Sequence, residues 1–255
     1  MIVECCKIFI IMDKNKKFNK MSEIAWVFGV LFISIGVFLV TKAGFGVSMV
    51  VAPAYIIHLA VEHFLPWYTF GKSEYILQGV LLAAMCLIIR KFNWRYLLSF
   101  LTAVIYGVIL DLWFALFGGS APYESLAARI VSLAAGVVIT SLAIALFFRT
   151  YLPQQVYELF VSQVANKFGV KTEKFKLGYD ITSLVIAVIL ALIVSHRFED
   201  VRFTDCIGIG TVVCTVFNAL IISLCGKGLD KLFGFEPALP KVNEVLNSNL
   251  SAYGG

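Results

Sequence analysis

Seventeen consecutive residues, Ile24 to Val40, carry no charge, and runs of this kind recur along the chain. A helix needs roughly 17 to 25 residues to cross a hydrocarbon core of about 30 Å. Such runs leave few options: lipid on the outside, or a core larger than the chain can build. Composition settles the choice. The 255 residues are 60% hydrophobic and only 15% charged, with a mean hydropathy of +0.89. A soluble domain of this size covers itself with more charge. The runs are continuous, not alternating, which excludes a β-barrel. The expected class is an all-α integral membrane protein.

Six segments read as spanning helices: Ile24–Thr41, Glu74–Ile89, Tyr96–Phe117, Leu126–Phe148, Gly178–His196 and Asp205–Leu224. Two shorter stretches, Val47–Val61 and Pro153–Phe168, are ambiguous. In the second, Val156, Leu159, Phe160, Val164 and Phe168 keep helical spacing, with Gln155, Glu158, Ser162 and Asn166 opposite. Such an amphipathic helix is a poor candidate for spanning lipid alone.

Loop charge separates six crossings from eight. If both ambiguous stretches dip in and return, 16 of the 21 Lys and Arg fall on the side of the N-terminus. Only Lys42, Lys72, Arg129, Arg197 and Arg202 fall on the other. The positive-inside tendency then places both termini in the cytoplasm of a plasma-membrane protein. The expected layout is a cytoplasmic extension over 1–21, a membrane domain over 22–232 and a cytoplasmic tail over 233–255. The net charge of +5 sits in the loops and does not suggest nucleic acid.

A shift of 107 positions aligns Gly29 with Gly136, Ser34 with Ser141, Lys42 with Arg149 and Gly71 with Gly178. The order of parts repeats as well: spanning helix, charged exit, half-polar short helix, two spanning helices. Three crossings per half is odd, so repeats over about 22–118 and 126–226 are expected to be inverted, each with a re-entrant or interfacial short helix. In the turn "TKAGFGVSMVVAP", Lys42 is expected to snorkel to outer water. Gly44 and Gly46 permit the reversal. Ser48 is expected to cap the next helix, and Pro53 to bend or restart it. Pro153 marks the corresponding turn of the second half. Non-helical backbone at membrane depth must be buried in protein or line a wet cavity.

"KAGFGVS", "YLPQQVYELFVSQVANKFG", "KLGYD" and "IGIGT" resemble the motifs of the YczE/YyaS/YitT group of bacterial membrane proteins, over roughly residues 22 to 235. Lys176 and Asp180 match its basic and acidic positions; Gly208, Gly210 and Thr211 match its last motif. Tyr151, Leu152 and Pro153 depart from its glycine-rich second turn. The resemblance implies a multi-spanning plasma-membrane protein and assigns no activity.

Asp111 is the strongest candidate for chemistry. An aspartate at the centre of a bilayer costs about 2.5 to 3.5 kcal/mol on insertion scales. Such groups usually face a cavity or a partner. The repeat shift sets Asn218 opposite it. Hydrated anchoring near the helix end is the other reading, and both stay open. Ser48, Tyr55 and His58 share one face of the first short stretch, with Gln155 the counterpart of Ser48. These are expected to line a solute pocket, or else to be the polar faces of interfacial helices. Lys176 and Asp180 suit a helix start. The cysteines have no metal or redox spacing, and no nucleotide-binding, zinc or hydrolase motif is present. No enzymatic activity, cofactor or metal is expected.

The expectation for function is a secondary transporter or facilitator of a small polar solute, anions included. Its site is expected to be lined by Ser48, Tyr55, His58, Asp111, Gln155 and Asn218, with Asp111 coupling a proton or cation. The alternative is a non-transporting scaffold or accessory subunit. Lipid and a small solute are the expected partners, and a homo-oligomer is compatible with both readings.

Overall fold

A computed structural model describes residues 22–119, 121–198, 201–237 and 239. The expected 1–21 extension and most of the tail lie outside them. The described residues form helices and no sheet: α1 (Ser22–Ala43), α2 (Ala52–Glu62), α3 (Phe70–Ile89), α4 (Trp94–Phe117), α5 (Leu126–Phe147), α6 (Val156–Phe168), α7 (Thr172–Arg197), α8 (Phe203–Cys206) and α9 (Ile209–Leu232). Local chemistry sets several ends. Thr69 and Asn93 accept backbone N–H bonds at the starts of α3 and α4, the usual work of an N-cap. Gly169, in the left-handed region, stops α6.

α1, α3, α4, α5 and Lys174–Arg197 of α7 are each long and apolar enough to cross a membrane. Phe203–Asn218 and Leu220–Leu232, bent by 42° at their junction, are together long and apolar enough to be a sixth span or a re-entrant loop. Outward apolar side chains such as Val185, Ile189 and Leu192 are more than half exposed, as suits contact with lipid. The chain is a multi-pass membrane protein. At 11 and 13 residues, α2 and α6 reach only about 16 to 20 Å, short of the thickness of a hydrocarbon core.

The centre of the bundle is α1 against α5. Ser22 lies by Thr150, Leu39 by Ser132 and Ala43 by Arg129, so the two run antiparallel. They cross where glycines meet: a Cβ on Gly136 would come within 2.9 Å of the Gly36 carbonyl, and one on Gly36 would strike Thr140. Small residues let membrane helices approach this closely. α4 runs along α1 in the same direction, joined by Trp113 to Ser34; α9 runs along α5, joined by Ser141 to Asn218. α3 returns antiparallel to α4 with Gly71 packed on Gly107.

The short helices take matching places. α2 begins near the middle of α7, where Ser183 donates to the Met49 carbonyl, and ends where His63 packs on Phe198, 4.1 Å between rings. α6 begins near the middle of α3, where Gln78 accepts the Val156 N–H, and ends where Lys167 donates to the Ile88 carbonyl.

Several expectations need correction. Lys42 does not snorkel: it is 6% exposed, and its ammonium donates to the carbonyls of Gly118 and Ala121 at 2.7 Å each and of Gly119 at 3.3 Å. The orphan carbonyls beyond α4 take the place of water. Ser48 does not cap α2 with its side chain; its carbonyl accepts from Val51 and Ala52, and Pro53 sits in the first turn. α3 starts at Phe70, four residues before the expected Glu74, because Thr69 caps it. α7 starts at Thr172, ahead of Gly178. Its other end, with His196 in the last turn, agrees with the expected one to within a residue.

Candidate functional site: a buried polar seam

Two turns carry the chain from α1 and α5 into the short helices. In the first, Gly44 (φ 62°) and Gly46 (φ 91°) adopt the left-handed region that other residues avoid. The turn is knitted to the start of α9: Gly210 donates to the Phe45 carbonyl at 2.7 Å, Val47 to that of Cys206 at 3.3 Å, and Thr211 to that of Val47 at 2.7 Å. Gly46 lies directly on the Gly208 backbone. In the second turn, the Pro153 carbonyl accepts from Thr102 of α4 and Trp26 of α1, each at 3.1 Å. Tyr151 donates to Glu23 at 2.7 Å. Burial, and then that carboxylate, push the Tyr151 pKa up to about 12, so it remains a donor at neutral pH.

The six expected site residues divide into separate places. Ser48 and Asn218 do meet: with Thr140, Val37, Val40 and Cys214 they line a cavity of about 20 Å³, room for a single water. Asp111 is elsewhere. Its Oδ2 accepts from the Thr69 hydroxyl at 2.5 Å and its Oδ1 from the Gly71 N–H at 2.7 Å. Both oxygens are thus occupied at the positive end of α3, a favourable place for a carboxylate. Tyr55 packs edge-on against Phe70. His58 is buried, with Nδ1 3.1 Å from the Tyr68 carbonyl and Nε2 3.4 Å from Glu62. The first-half face thus buttresses the start of α3.

Gln155 belongs to a different group, centred on α3 and α6. Its Oε1 accepts from Gln78 at 3.4 Å, and Gln78 accepts in turn from the Val156 N–H at 3.1 Å. One turn earlier on the same face of α3 stands Glu74. Glu74 and Gln78 are both 0% exposed. Glu74 Oε2 accepts from the Tyr157 hydroxyl at 3.1 Å, while Oε1 has no partner among the described residues. The Gln155 Nε2, Glu158 Oε2 and Asp180 Oδ1 atoms are likewise buried and unpaired. Tyr106, 1% exposed on α4, and Tyr179 on α7 stand near Glu74. A polar seam therefore runs between α3, α6, α4 and α7, and several of its hydrogen-bonding atoms are unused. Buried polar atoms are usually paired, so unpaired ones grouped together call for an explanation.

Glu74 escapes sequence reading for a definite reason. Taken as the first residue of a span, it passes for a boundary charge. Recognition of Thr69 as a cap would have moved the start back by a turn and left Glu74 and Gln78 inside, on one face.

No cluster of three metal-binding side chains occurs among the described residues. No curated protein matches the chain. No solved structure matches it either. A family model described as a family of unknown function, DUF6198, matches residues 20–227, which include every spanning helix almost whole and both turns. The chain thus belongs to the DUF6198 family, a membrane-helix family related to the broader YitT/YczE-like proteins.

Proposed function

We propose that the chain is a secondary transporter or facilitator that moves a small polar solute through the seam around Glu74. The observation that carries this reading is a fully buried carboxylate with one oxygen unpaired, placed where half-length α6 meets spanning α3. A carboxylate at membrane depth is expensive and usually belongs to a substrate or ion path. A purely structural seam would gain by pairing or losing such atoms.

The architecture supports the same reading. Met49 and Val156 are equivalent under the 107-residue shift, and each is held by a side chain from mid-helix, Ser183 of α7 and Gln78 of α3. Lys42 and Arg149, also equivalent, each reach the far end of a later helix: Gly118 beyond α4 and Asp230 in α9. We read these matches, with α1 antiparallel to α5, as two inverted repeats with re-entrant α2 and α6. Transporters commonly place their site at such an interface. With both termini in the cytoplasm, α6 faces that side. The lining favours a cation or a neutral polar solute over an anion, since Glu74 and Glu158 leave oxygens unpaired and the Val156 N–H is already bonded to Gln78.

The test is uptake by the full chain in proteoliposomes loaded with a pH-sensitive dye. Amino acids, polyamines, sugars and alkali cations are added singly. At least one class should produce a dye or tracer signal absent from protein-free vesicles. Silence across all classes removes the transport reading and leaves the scaffold.

A further inference from the structure

Resting on that reading, we propose that Glu74 is a proton-carrying site, taking up one proton on Oε1 while Tyr157 donates to Oε2. The argument is one of charge accounting. A carboxylate with no exposure must be neutralised by a proton or paired with a cation. Around it stand Tyr157 from α6, Gln78 one turn on along α3 and Tyr106 from α4, while Asp111 of α4 and Glu158 of α6 lie on the far side of Tyr106. α7 contributes Tyr179, Asp180 and Lys176, and α2, which packs on α3, carries His58 and Glu62. Lys176 is exposed, and its charge acts on Glu158 and Asp180. His58 is engaged with Tyr68 and Glu62. No basic side chain reaches Glu74 within ion-pair distance among the described residues.

The unpaired atoms fit the same account. Glu74 Oε1 lacks a partner as an acceptor; once protonated it becomes a donor. An alkali cation is less well served, because it needs several oxygen ligands and the α6 group that reaches Glu74, the Tyr157 hydroxyl, presents its hydrogen. The step is a simple transfer: hydronium gives its proton to Oε1, forming a carboxylic acid and water, and release reverses it. Because Tyr157 and Gln155 both ride on α6, a shift of that short helix would open Glu74 to water on one side.

Asp111 and Glu74 are thereby given different tasks. Asp111 has both oxygens bonded at the start of α3, whereas Glu74 keeps one for an incoming partner.

Infrared titration of the full-length protein in detergent tests the proposal. The wild type should show a protonated-carboxyl C=O band that vanishes as pH rises, and Glu74→Gln should lack that band. Tyr157→Phe, which removes a hydrogen bond to the same group, should shift the frequency of the band. Superimposable titrations in wild type and Glu74→Gln overturn the proposal. Should Glu74→Gln fail to fold, an unshifted band in Tyr157→Phe overturns it. Loss of the band on adding sodium chloride at constant pH, but not choline chloride, also overturns it, in favour of a metal cation. A titrating Glu74 in a protein that transports nothing sinks the transport reading alone; transport without a titrating Glu74 sinks this proposal alone.

Discussion

The Thr69 hydroxyl donates to Asp111 Oδ2 across 2.5 Å, so a carboxylate from the last third of α4 closes the first turn of α3. The second oxygen takes the Gly71 N–H, and the two helices are locked at their glycine crossing. This geometry describes a fastener. Asp111→Ala should cost about 2 to 4 kcal/mol, the loss of two charge-assisted bonds and the exposure of two orphan donors. A lowered melting temperature with an unchanged pH profile of uptake is the expected pair of results. An altered pH profile in a normally stable Asp111→Asn variant would return Asp111 to the mechanism.

Lys42 and Arg149 occupy equivalent positions, and breaking their long-range contacts should have sharply different costs. Lys42 is buried against three carbonyls, and Lys42→Met leaves them unpaired, at about 2 to 4 kcal/mol. Arg149 makes a bidentate pair with Asp230, whose side chain is 57% exposed. Breaking it through Asp230→Asn should cost less than about 1 kcal/mol. Thermal unfolding of both variants in one detergent checks the contrast. Comparable losses would mean that burial does not govern these anchors.

Gly36→Ala should destabilise by roughly 1 to 3 kcal/mol, the usual scale of overpacking. The added methyl meets both the Thr140 side chain and its backbone N at 2.9 Å. Gly36→Ala with Thr140→Ala should recover part of the loss and not all of it, because the backbone cannot be trimmed. Full recovery would show the crossing to be looser than the contacts indicate.

Single cysteines in a cysteine-free background report topology. Positions 91 and 171 should label from the cytoplasm, and position 64 from the exterior. Labelling of 64 from the cytoplasm and of 91 from the exterior would make α2 a crossing and dismantle the inverted arrangement.

The long helices were legible because run length against bilayer thickness is nearly a one-variable problem. Both turns were legible too, since paired glycines or a proline beside a charge leave the backbone little choice. What could not be read were partnerships made across the fold. Lys42 finds its carbonyls 76 residues away, and Asp111 finds Thr69 from a neighbouring helix. Without those partners, a lysine at a helix end looks solvated and an aspartate in a span looks functional. Gln155 stands out for its place on the polar face, but Glu74, one turn from its partner Gln78, is hidden when the helix start is placed one turn late. That error has a physical source: the signal lay in the cap and not in the hydropathy, which rises only after Glu74.

The two turns are held by different kinds of bond. Residues 45 to 47 are fastened to 206–211 mainly by main-chain groups, joined by the single Thr211 hydroxyl, whereas Pro153 is held by the side chains of Thr102 and Trp26. Point substitution can erase a side-chain clasp but not a main-chain one. The latch beside α6 is therefore tunable one residue at a time, while the latch beside α2 yields only to changes that redirect the backbone. A molecule so built would loosen with unequal ease at its two turns.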